Sequence, residues 1–202
     1  MRSTIFRKLA YLPLLALPLT SIASASAAVS FKNSTATEWQ AGNFETEASD
    51  LFKQIKSLSG NLRTDASTLE SYKLQNRMSW RSHADQLSKA REHINGIGER
   101  LDRLQAIKSV TAPWQQRAIE DIVPVAFNLA AHTESAIQHL NENRGYLYAP
   151  VYADHLTSIS ERSAELKTSV DAFLEFGDTS DKLDRMQQKF DRLQERIGLL
   201  ES

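Results

Sequence analysis

From about residue 37 onward, apolar side chains recur three and four positions apart, the spacing of helices that bury one stripe each. The first helix is predicted to begin near Thr35 or Thr37, because Thr35 with Glu38 and Thr37 with Gln40 have capping-box spacing. Its stripe reads Phe44, Ala48, Leu51, Ile55, Leu58, Leu62, Leu69 and Tyr72, with Asp65 and Ala66 where the pattern would continue. Gly60 allows a kink. The second helix is predicted over about 76–109, on Trp80, Ala84, Leu87, Ile94, Ile97, Leu101, Leu104 and Ile107. Gly96 and Gly98 in its middle suit either close helix approach or local flexing.

Thr111 followed by Pro113 signals the start of a third helix. Its stripe is Ala118, Ile122, Val125, Leu129, His132, Ala136 and then His139 or Leu140. Pro124 predicts a kink or short break near Ile122, since it removes a backbone bond and crowds the carbonyl of Glu120. Gly145 is placed to end this helix as a left-handed cap, and Pro150 to start the next. The fourth stripe is Tyr152, Leu156, Ile159, Leu166, Val170, Phe173 and Leu174, with Gly177 closing the helix. Thr179 or Ser180 then caps a last helix carrying Leu183, Met186, Phe190, Leu193, Ile197 and Leu200 at heptad spacing.

Helices of about 30 residues are about 45 Å long, and short turns between them favour antiparallel neighbours. The fold class expected is therefore all-α: an elongated up-down-up-down four-helix bundle with an additional C-terminal helix. That last helix either covers the bundle or extends the fourth. Its heptad face suits docking on its own bundle, the expectation favoured by effective concentration, or self-association with another chain.

The chain before the helices changes the picture. Residues 1–27 read as a signal peptide: Arg2, Arg7 and Lys8, then an apolar run from Leu9 to Leu19, then Ala23-Ser24-Ala25 and Ala25-Ser26-Ala27 as cleavage sites. The run is too short for a comfortable span and holds Pro13 and Pro18. Residues 28–36 read as a flexible lead-in and 37–202 as one helical-bundle domain. The expected location is outside the cytoplasm, periplasmic or extracellular, with no membrane span after cleavage.

Charge and composition then exclude classes of chemistry. The chain has 24 basic and 25 acidic residues; three basic ones fall in the signal, leaving 21 against 25. A mildly acidic surface argues against nucleic acid as partner. The absence of Cys excludes disulfides, thiolate metal sites and thiol catalysis. No phosphate-binding loop, dinucleotide fingerprint, HExxH, GxSxG or EF-hand loop occurs, and no His has Glu three positions before it as di-iron bundles require. The expectation is a binding or structural protein and not an enzyme, needing no cofactor; an enzyme with an unrecognised site is the remoter alternative.

Folding each hairpin about its turn gathers the candidate chemistry at one pole. His83 falls level with His139, His139 with His155, and Glu70 beside His83. Imidazoles with a carboxylate suit a divalent transition metal, so His83, His139, His155 and Glu70 form a candidate metal set. His83 and His155 sit one position off the apolar stripes, so they are also readable as flank residues pointing outward. His93 and His132 fall level nearer the middle, with His132 the histidine best placed for burial. The same pole collects Tyr72, Arg77, Trp80, Arg81, Arg144, Tyr146, Tyr148 and Tyr152. Aromatic and Arg side chains dominate binding hot spots, so these eight form a candidate contact surface for a protein or small-molecule ligand. The plain alternative is that the tyrosines plug the bundle end.

Overall fold

The computed structural model describes residues 34–73 and 78–198, and the side chains from Gly42 onward. Residues 1–33, which hold the expected signal peptide and most of the expected lead-in, residues 74–77 with Arg77, and the last four residues lie outside the described residues. Four helices follow one another: α1 (Ser34–Tyr72), α2 (Trp80–Ile107), α3 (Pro113–Glu142) and α4 (Pro150–Gly198). A single 3-10 turn, Lys108–Val110, joins α2 to α3. Each helix packs on its neighbours in chain order, and α4 closes the ring against α1, giving the up-down-up-down bundle. Among the described residues there is no strand, and no helix is long and apolar enough to cross a membrane.

Local chemistry sets the helix starts. α1 begins at Ser34, so 34–36 belong to the helix and not to a lead-in. α2 begins at Trp80, later than position 76, because Ser79 is the cap: its Oγ accepts from the Ser82 N–H. α3 starts at Pro113, where the missing N–H costs nothing, and Gln115 Oε1 accepts from the Ala112 N–H at 3.1 Å. Pro124 does not break α3. It is exposed, and α3 runs without interruption from Pro113 to Glu142.

Two glycines differ from their predicted roles. Gly145 is not left-handed. The chain leaves α3 through two successive turns, with Tyr146 N–H donating to Asn143 O and Ala149 N–H to Tyr146 O. Gly177 does not close α4, which runs on unbroken to Gly198. Thr179, instead of capping a new helix, donates its hydroxyl back to Glu175 O. The additional C-terminal helix is thus present as a continuation of the fourth. It does not dock on its own bundle: residues 181–197 are all exposed.

The buried faces lie in places one residue off the predicted stripes. On α1 the core follows Ala48, Phe52, Ile55, Ser59, Leu62, Ala66 and Leu69, spaced four and three without a skip. Leu51 and Leu58 are only half-buried beside it. On α3 the same regularity buries Ala126 and Thr133 where Val125 and His132 were expected. Gly96 serves close approach: a β-carbon there would meet Leu58 Cδ1 at 3.2 Å. Buried polar groups are tied between helices. Gln115 Nε2 donates to Glu45 O and Ser49 Oγ, both at 2.9 Å. Asp65 accepts from Gln86 Nε2 at 2.8 Å and faces His93 Nε2 at 3.3 Å, which explains the polar residue within the first stripe.

Candidate functional site

The end of α1, the start of α2, the end of α3 and the start of α4 share one pole. Tyr152 stands on the first turn of α4 and is fully buried. Its hydroxyl lies 2.9 Å from His83 Nδ1. The His139 ring stacks on the Tyr152 ring at 5.1 Å between centroids and 20° between planes. Tyr72 lies against His83 at 5.0 Å. The result is a continuous column of rings: Tyr72, His83, Tyr152, His139. Tyr152 is therefore an interior residue and not part of a contact surface. His83, read as a flank residue, is only 3 % exposed, and it is the buried histidine in place of half-buried His132.

Burial sets the protonation of the two buried members of the column, His83 and Tyr152. Desolvation pushes the His83 imidazole below its ordinary value and the Tyr152 phenol above its own. Near neutral pH both are uncharged, and one neutral hydrogen bond satisfies both polar tips. His139 Nε2 lies 3.3 Å from Tyr146 O, a contact that holds the α3–α4 connection over the column.

The proposed metal set is not brought together. The Tyr152 ring occupies the space between His83 and His139. His155 turns instead to His132, with Nδ1 atoms 3.3 Å apart. Burial lowers the His155 pKa first, and the neighbouring His132 and His139 charges lower it further, against the opposing pull of Asp154. Glu70 pairs with Lys73 at 3.6 Å, and His93 with Asp65 and not with His132. Among the described residues no group of three or more His, Asp or Glu side chains is placed to hold a metal ion.

Outside the column the pole has a different character. Trp80 packs partly on the core, and the Arg144 guanidinium lies 4.5 Å from its ring centroid, with Arg81 at 5.4 Å. Both distances are within cation–π range. Tyr146 is 72 % exposed, Tyr148 56 % and Val151 60 %. Val151 was not singled out from sequence. With Tyr152 turned inward on the same helical turn, its neighbour must point away, but that inference requires knowing which tyrosine is buried.

One apolar groove of about 350 Å³ runs between α2 and α3, lined by Ile94, Gly98, Leu101, Val123, Pro124 and Phe127 among others. Asp102 is the ionisable side chain in its lining, so the groove holds no acid–base pair. No protein-family model, no curated protein and no solved structure matches the chain.

Proposed function

We propose that the chain is an exported, non-catalytic binding protein that engages a protein partner through the pole where α3 turns into α4. One observation carries the reading. Arg144 is held over Trp80 at 4.5 Å on the same α3–α4 connection that carries the exposed Tyr146 and Tyr148, with exposed Val151 on the first turn of α4. Cation–π stacking orients a guanidinium while leaving its donors free, and exposed tyrosines bring contact area at small entropic cost. Below them the ring column, buried at His83 and Tyr152, gives a packed floor. Such a surface suits a partner that presents apolar and carboxylate groups together.

The test is site-specific photo-crosslinking in the exporting host. A photoreactive residue at Tyr148 is expected to give a discrete adduct that the same residue at Asp121, on the flank of α3, does not. The adduct is expected to fall at least about tenfold with Tyr146→Ala and Arg144→Ala combined, with helicity unchanged. Equal labelling at both positions, or none, overturns the reading.

A second reading rests on the His132–His155 contact. Two imidazole nitrogens 3.3 Å apart on adjacent helices suit a shared divalent transition metal with water completing the shell. Calorimetric titration with zinc tests it. Binding weakened at least about tenfold by His155→Ala supports it, and absence of heat from the unaltered chain removes it.

A further inference from the structure

At the opposite end of the molecule, α4 leaves the bundle and carries an apolar row into solvent. Phe176, Leu183, Met186, Phe190, Leu193 and Ile197 are between 54 % and 66 % exposed. From Leu183 their spacing alternates three and four, so they occupy the a and d positions of successive heptads, with Phe176 one heptad earlier at a. Among the described residues nothing covers them, since every residue from 181 to 197 is exposed.

The row faces away from the bundle. Leu156, Ile159, Leu166 and Val170 are the α4 residues buried against the other helices. On a helix of 3.6 residues per turn, the 183–197 row lies about half a turn round from them. A second extension laid along the row keeps the two bundles on opposite sides of the pair. The bundle also nucleates the helix, so the extension needs no costly first turn of its own.

Charge selects the partner's direction. The g positions hold Lys182, Lys189 and Arg196, and the e positions hold Ser180, Gln187 and Gln194. An antiparallel pair of identical extensions sets the basic row against itself. A parallel pair sets Lys182 and Lys189 against the neutral Gln187 and Gln194 of the other copy, which accept a hydrogen bond and remove the repulsion. Six such side chains expose on the order of 600 Å² per copy, at the top of what a monomer ordinarily leaves bare and, for two copies, at the low end of a stable interface.

We propose that the chain forms a homodimer in which residues 176–197 of two copies pair as a parallel, in-register, two-stranded coiled coil. The partner is a second copy of this chain. The tyrosine poles then stand at the far ends of the two bundles, presented twice.

Sedimentation equilibrium of the chain is expected to show dimers. Monomers at about 100 μM, or trimers and larger species, overturn the proposal. Phe190→Glu is expected to weaken dimerisation at least about a hundredfold while the urea midpoint of the bundle is unchanged; a variant that dimerises as before overturns it. Because the chain has no Cys, direction is read by oxidation of single variants. Met186→Cys and Leu193→Cys each form a disulfide-linked dimer if the helices are parallel and in register. In an antiparallel pair at most one of them does, and that outcome overturns the assigned direction.

Discussion

The indole of Trp114 lies over Gly177 so closely that a β-carbon there would stand 2.5 Å from Cζ2 and 2.7 Å from Cη2. Trp114 is on the first turn of α3, and its ring also approaches Phe52 of α1 at 6.0 Å between centroids. The three residues close the lower end of the bundle at the point where α4 continues past it. The glycine's role is space for a ring and not a change of backbone direction.

Gly177→Ala is therefore expected to destabilise the bundle by about 1–3 kcal/mol, because the ring edge must move out of a packed position. Gly60→Ala, where nothing lies within 4 Å, is expected to stabilise it by about 0.5–1 kcal/mol through helix propensity alone. Urea unfolding followed by tryptophan fluorescence separates the two; equal gains from both would show that Trp114 does not rest on the glycine.

Tyr152→Phe removes the hydrogen-bond partner of a buried imidazole. The expected loss is about 1–3 kcal/mol, the cost of leaving a buried polar atom unsatisfied. Tyr146→Phe, on a mostly exposed ring, is expected to stay within about 0.5 kcal/mol of the unaltered chain. Calorimetric melting of both variants at pH 7.5 makes the comparison.

The histidines make stability fall in mild acid. The pKa values of His83 and His155 are lowered in the folded chain, so the unfolded chain binds their protons first. This contribution is fully present above the ordinary histidine value of about 6.5 and is lost as pH drops through the window below it. A separate loss follows at lower pH from Asp171, held down chiefly by its bond to Lys167. Urea midpoints measured from pH 8 to pH 5 are expected to decline below about 6.5, and the decline is expected to shrink in His83→Gln. A flat profile would mean that the imidazole is not desolvated.

The core register of α1 is open to a direct comparison. Phe52→Ala is expected to cost about 3–5 kcal/mol, since the ring is fully buried, whereas Leu51→Ala on the half-buried flank is expected to cost less than about 2 kcal/mol. The reverse order would place the stripe one residue earlier.

Much of the architecture was legible in the chain. Three-four spacing, Pro113 and Pro150 at helix starts, and scarce Gly and Pro elsewhere specify antiparallel helices whose order around the bundle follows from short turns. Counting back from the turns also placed His83 and His139 at one level, where they lie on either side of Tyr152. The count could not say which way each ring points. A residue one position off a stripe rotates by about 100°, and His83 and His132 exchange their expected burial on that single step.

Periodicity thus determined that these residues form helices and roughly which layer each side chain occupies, because those properties depend on spacing along one chain. The tertiary structure decided the rest. It placed Phe52 in the core and Leu51 beside it, turned Tyr152 inward and Tyr148 outward, paired His155 with His132, and let α4 pass Gly177 without a break. Each of these outcomes is set by what stands opposite. A glycine reads as a helix end until an indole is found resting on it, and a heptad row reads as core until no helix of its own bundle is found to cover it.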